Sequence, residues 1–116
     1  MPHQISDEMR ACIANCTECH AICVEKTIHC LHMGGEHASP EHIGLLLDCA
    51  DICAVSANFM LRGSDLHGKT CGVCADACER CAADCERLAN GDETMLRCAE
   101  ICRRCAESCR RMAAAA

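Results

Sequence analysis

Aromatic residues are almost absent from this 116-residue chain: there is no Trp and no Tyr, and Phe59 stands alone. That leaves no rings on which nucleic-acid bases could stack. Positive charge is also scarce. Eleven Lys and Arg against seventeen Asp and Glu give a formal net charge of −6, with the basic residues mixed among acids. The cluster Arg103, Arg104, Arg110 and Arg111 is ordinary for the end of a helix. Nucleic acid is therefore excluded as an expected partner. No apolar run reads as long enough to span a membrane, and membrane association is not expected. The opening Met1-Pro2-His3-Gln4-Ile5-Ser6-Asp7-Glu8 has neither the basic nor the apolar stretch of a secretory signal. The expectation is a cytoplasmic protein whose thiols stay reduced. Finally, Leu, Ile, Val and Phe are too few to fill an ordinary core.

Cysteine is what fills the gap. Sixteen occur, at Cys12, Cys16, Cys19, Cys23, Cys30, Cys49, Cys53, Cys71, Cys74, Cys78, Cys81, Cys85, Cys98, Cys102, Cys105 and Cys109. Steps of three and four are the same-face steps of an α-helix, so each group forms a thiol stripe along one side. A protonated, buried cysteine behaves as a small hydrophobe, so the metal-free chain is expected to fold.

Punctuation divides the chain into four helices. Ser6 caps the first, which runs to about Met33 and stops at Gly34-Gly35. Ser39-Pro40-Glu41 starts the second, which runs to about Arg62 and ends at Gly63. The third starts near Ser64 or Asp65 and ends before Gly91. The fourth runs from Asp92-Glu93 to about Met112, with Ala113 to Ala116 frayed. Short connections make neighbours antiparallel. The fold expected is all-α, an up-down-up-down antiparallel four-helix bundle with a cysteine-lined core, in a single domain over residues 1–116.

Extending the stripes shows what shares the seam. The first helix adds Ile5, Met9, Lys26 and Met33; the second His42, Leu46, Ser56 and Met60; the third His67 and Leu88; the fourth Met95 and Met112. Antiparallel packing groups Met9, Met60, His67 and Met112 at one mouth. Met33, His42, Leu88 and Met95 fall at the other, with His29, His32 and His37 nearby. His42, His67, Met33, Met60 and Met95 are candidate ligands beside the cysteines, through imidazole or thioether. His3, His20 and His37 are expected to face solvent. Lys26 and Ser56 interrupt the stripe. Ile13, Ile22, Leu47, Ile52, Val55, Phe59 and Ile101 flank it, to complete the core or form a subunit interface.

Soft thiolates select Cu(I). Cysteines four apart have Cβ atoms roughly 5–6 Å apart, and two metal–sulfur bonds of about 2.3 Å span nearly that distance. Pairs such as Cys12/Cys16, Cys19/Cys23, Cys49/Cys53, Cys74/Cys78, Cys81/Cys85, Cys98/Cys102 and Cys105/Cys109 can then each grip one ion. One Cu(I) per thiolate leaves the core near neutral, whereas four thiolates per Zn(II) bury a double negative charge. Disulfides fit helical pairs poorly. Iron–sulfur ligation usually places cysteines in loops, with Pro after the last, and no cysteine here precedes Pro. The reading from residues is a store of multiple Cu(I) ions, on the order of 16–20 per chain. A general zinc–thiolate reservoir and an iron–sulfur electron carrier stand as alternatives.

Three runs carry a family resemblance: Cys49-Ala50-Asp51-Ile52-Cys53, Cys71 through Cys81, and Cys98-Ala99-Glu100-Ile101-Cys102-Arg103-Arg104-Cys105-Ala106-Glu107-Ser108-Cys109. With CxxxC and CxxC repeated along four helices, the chain resembles the bacterial cytosolic copper storage proteins over nearly its whole length. The resemblance implies Cu(I) storage on inward-facing cysteines, a homotetramer, and binding with no catalysis. A copper chaperone or a low-molecular-weight thiol is an expected partner for release. One departure stands out. Such proteins have histidines just before the first cysteine of the fourth helix, where this chain has Asn90-Gly91-Asp92-Glu93-Thr94-Met95. His29, His32, His37 and His42, with Met33 and Met95, are expected to replace them.

Overall fold

The computed structural model describes residues 5–115, so His3 and the last alanine lie outside the described residues. Helix α1 (Asp7–Met33) begins where Ser6 Oγ accepts from the Met9 amide at 3.1 Å, with Asp7 and Glu8 complementing the helix dipole. It ends at Gly34, whose φ of 72° only glycine adopts easily. A single 3-10 turn, Gly35–Ala38, follows; the sequence reading has no counterpart for it. Ser39 Oγ accepts from the His42 amide at 3.2 Å, and with Pro40 in the first turn this sets the start of α2 (Pro40–Leu61).

Helix α3 (His67–Ala89) starts later than Ser64 or Asp65. Ser64 folds a turn instead: its Oγ accepts from Leu66 N–H, and its carbonyl accepts from the amide of His67 and from His67 Nδ1 at 2.8 Å. Asn90 and Gly91, both at positive φ, reverse the chain. Asp92 then accepts from the Thr94 amide and hydroxyl at the start of α4 (Glu93–Ala115). The alanines through Ala115 are helical, not frayed, in keeping with alanine's helix propensity.

Each helix packs against its two sequence neighbours, and α1 closes the ring against α4. The result is an up-down-up-down rod of 50 × 21 × 19 Å. All sixteen cysteines line its axis at 0 % exposure. Ala50, Ala57, Ala75, Ala82, Ala89, Ala99 and Ala106 are buried beside them at seven-residue steps. Side chains this small let the backbones approach until the sulfurs touch.

Of the flanking apolar residues, Ile101 is buried and Ile13, Ile22 and Ile52 pack against the core. Leu47 and Val55 are exposed. Phe59 is partly buried, with the Arg62 guanidinium 4.8 Å from its ring centroid. The acids of α3 partner the basic cluster of α4: Arg103 makes a fork with Glu86, and Arg110 reaches both Asp76 and Glu79. One expectation needs correcting. Among the described residues α2 is long and apolar enough, by length and composition alone, to cross a membrane. Its cysteines, His42 and Ser56 nevertheless point at the other helices.

Candidate metal centre

The sulfurs form one mesh along the bundle axis, and most of its contacts run between helices. Cys12 and Cys16 lie 3.6 and 3.5 Å from Cys109. Cys105 reaches Cys16 at 3.6 Å and Cys53 at 3.8 Å. Cys53 touches Cys74 and Cys78, both at 3.6 Å. Cys49 sits 3.6 Å from both Cys19 and Cys78. Cys102 meets Cys19 and Cys23 at 3.7 Å and Cys81 at 3.8 Å.

Of the seven pairs four residues apart, Cys74/Cys78 at 3.9 Å is the one whose sulfurs touch among the described contacts. The expected pairing along each helix is thus secondary to pairing across the bundle. Same-face Cβ atoms are held roughly 5–6 Å apart by the helix, while facing thiols have no such spacer.

Four sets of sulfurs each lie within 4.8 Å of one another: Cys16/Cys74/Cys105/Cys109, Cys19/Cys53/Cys78/Cys105, Cys19/Cys23/Cys49/Cys102 and Cys12/Cys71/Cys109. With metal–sulfur bonds of about 2.3 Å, sulfurs around one ion stand roughly 3.8 Å apart in tetrahedral geometry and roughly 4 Å apart in trigonal geometry. The mesh meets both. Because Cys19, Cys105 and Cys109 each belong to two sets, bridging between ions is built in.

The thiols hold one another's protons. Cys53 and Cys102 are pushed up because they donate hydrogen bonds, chiefly to Cys105 and Cys19. Cys49 is pulled down, chiefly by a hydrogen bond from Cys102. Burial, then the proximity of Cys98, pushes the Cys30 thiol up to about 11. At Cys71 a hydrogen bond with Cys109 works downward, but donation to Cys12 and burial outweigh it, again giving about 11. Metal uptake must therefore expel protons from the core.

The two ends differ. At one, Ser56 takes the place of a thiol and its Oγ lies 3.2 Å from Cys71 Sγ, beside buried Met60 and Met112. His67 is only partly buried and ties its Nδ1 to the adjoining turn, so it caps α3 locally and does not stand on the seam. At the other end, His42 is fully buried, with Nε2 3.2 Å from Cys30 Sγ and Nδ1 2.8 Å from Asp84 Oδ2. Met95, also fully buried, places Sδ 3.7 Å from Cys30 Sγ.

Three expectations fail at this end. Met33 is 53 % exposed at the last turn of α1 and does not line the seam. Lys26 is displaced from the stripe by Thr27, which is buried and donates to the Cys23 carbonyl at 2.8 Å. His37 is not solvent-facing: its Nε2 is buried, and its ring stands edge-on to His42 with centroids 6.3 Å apart. His20, also expected outside, is partly buried and bonded through Nδ1 to the Ala50 carbonyl. Asp84 and Thr27 are absent from the sequence reading. Thr27 is four residues after Cys23, and that step was its only signal.

Comparison with known proteins agrees with this geometry. The family described as Copper storage protein matches residues 5–114. The Nmul_A1745 protein from Nitrosospira multiformis is 45 % identical, with 94 % of this chain and 97 % of that one aligned at a TM-score of 0.87. The Cu(I)-bound copper storage protein BsCsp3 is 34 % identical, over 92 % of this chain and 99 % of that one, at a TM-score of 0.83. The uncharacterized cysteine-rich protein YhjQ of Bacillus subtilis is 36 % identical over 69 residues, which are 60 % of this chain and 64 % of YhjQ's own length.

Proposed function

The chain belongs to the copper storage protein family, and on that premise we propose that it stores many Cu(I) ions on its inward-facing cysteine thiolates. The observation that carries this reading is the continuous mesh of sixteen fully buried sulfurs. A regulatory or catalytic metal needs one site. Sulfur contacts extending through most of the bundle's length supply volume for cargo.

Distances alone do not separate Cu(I) from Zn(II), because the four-sulfur sets suit a tetrahedral ion as well. Sharing and charge favour Cu(I). Shared sulfurs suit bridged clusters at about one ion per thiolate, whose charges cancel. Zinc in isolated four-thiolate sites would leave uncompensated charge in a dry core. The iron–sulfur alternative is weaker still: sulfurs already 3.5–4.0 Å apart leave no volume for a cluster with its own bridging sulfides. The role is binding and detoxification, with no catalysis. Free thiols suit the reducing cytoplasm, a homotetramer is the assembly, and a chaperone or small thiol withdraws the copper. All sixteen cysteines act as ligands, with Met60 and the Cys30 end completing the two mouths.

Anaerobic titration of the reduced protein with Cu(I) against a strong chromogenic chelator tests this, with Zn(II) in parallel. Uptake on the order of 16–20 Cu(I) before the chelator colours is expected. Saturation after a few Cu(I), or preferential filling by about four Zn(II), would refute it.

A further inference from the structure

The arrangement around His42 has more order than a filler residue at the end of a core requires. A fully buried imidazole has both nitrogens engaged, one by a thiol and one by a carboxylate. Asp84, on α3, also accepts from Arg87 Nε at 2.9 Å, and Arg87 NH1 lies 3.9 Å from Glu36 in the turn after α1. An ionised carboxylate can only accept. Asp84 therefore fixes the proton on Nδ1 and leaves the Nε2 lone pair directed at Cys30. Cys30 Sγ in turn lies within 3.7 Å of Met95 Sδ. One imidazole nitrogen, one thiol and one thioether from three helices thus converge at a point outside the four close sulfur sets.

We propose that Cys30, His42 and Met95 form a mixed nitrogen–sulfur Cu(I) site, separate in character from the thiolate mesh, and that Asp84 is the positioning residue that assembles it. The inference rests on the storage reading and adds a site class to it. Within the mesh, copper is held by anionic sulfurs that bridge to further ions. At this site the only anionic donor is Cys30, and the other two donors are neutral. Copper here is bound more weakly than copper in the mesh and exchanges first with an external ligand. The site lies at the end of the bundle where His29 and His37 each have a buried Nε2 without a hydrogen-bond partner among the described residues. Asp84 touches none of the three donors except His42, so its part is to hold the ring's orientation and tautomer. Carboxylates that hold a ligating imidazole in this way are commonly worth about 10–100-fold in metal affinity.

The test uses the full chain, loaded and unloaded. Nitrogen-15 NMR of the metal-free protein should show His42 as the Nδ1–H tautomer, and Asp84→Ala should abolish that preference. Chelator competition on the fully loaded wild type should release about one ion per chain ahead of the rest. In Asp84→Ala that ion should be about 10–100-fold more weakly held, with the remaining capacity unchanged. Asp84→Glu should restore most of the affinity, which a purely structural role would not predict. His42→Ala should remove the distinct ion altogether. A wild type that fills with about one Cu(I) per cysteine while Asp84→Ala gives the same isotherm would overturn this proposal alone. A wild type that saturates at a few ions would overturn the storage reading with it.

Discussion

A single hydroxyl decides where the sulfur mesh ends. Ser56 is fully buried and within 3.2 Å of Cys71 Sγ, which leaves Cys12, Cys71 and Cys109 as a three-sulfur set where the neighbouring sets have four. Ser56→Cys should complete a fourth ligand and raise Cu(I) capacity by about one ion per chain in chelator titration. Ser56→Ala should leave that capacity unchanged and cost the metal-free fold about 1 kcal/mol for the lost hydrogen bond, read from denaturant unfolding. Leu46 marks the opposite case. It is the largest fully buried side chain and has no metal chemistry to offer. Leu46→Ala should cost about 2–5 kcal/mol in the metal-free protein through the cavity it leaves. The same variant should bind copper at full stoichiometry once folded.

Among the helices, α2 depends most on how it starts. Ser39 Oγ accepts from the backbone amide of His42, so the cap of the helix and the placement of a buried imidazole share one residue. Ser39→Ala should lower the stability of the metal-free bundle by about 1 kcal/mol, measured as a lower midpoint of thermal unfolding. Helix limits followed from caps and glycines at most termini, because those signals act within one turn. They misplaced the start of α3, where Ser64 folds a turn of its own, and the end of α4, where alanines sustain the helix. The 3-10 turn of Gly35–Ala38 was also missed, since two glycines mark a stop without saying what shape the chain takes next.

Taken whole, the molecule is a proton store that exchanges its protons for metal. Cys30 and Cys71 are both raised to about 11, from an ordinary thiol value of 9.0. Between those values the folded chain keeps protons that the unfolded chain has lost. The stability these thiols contribute is therefore complete below about pH 9 and declines as pH rises toward 11. Denaturant unfolding of the metal-free protein across that window should show the midpoint falling with pH; a rising midpoint would contradict the assignment. Copper loading reverses the dependence on acid, since each thiol must give up its proton to bind. Chelator competition should show retention weakening as pH is lowered. Loading should also raise the unfolding temperature, because ions held by the folded mesh are lost on unfolding.

Helical period, thiol stripes, antiparallel order and the grouping of side chains at each end were all legible in the sequence. Each depends on spacings of three, four or seven residues and on short-range caps. The partners across the core were not. Cys19 meets Cys49, Cys78 and Cys102 because four backbones converge, and nothing within one helix encodes which sulfurs will face it. Lys26 and Thr27 are both same-face steps from Cys23, and only the neighbouring helices decide that the smaller residue turns inward. Met33 is a correct step beyond Cys30 but sits in the last turn of α1, where it stays exposed. The clamp of His42 by Asp84 joins residues on different helices, 42 positions apart. Local periodicity sets which face of each helix turns inward; three-dimensional packing alone sets which atoms meet there.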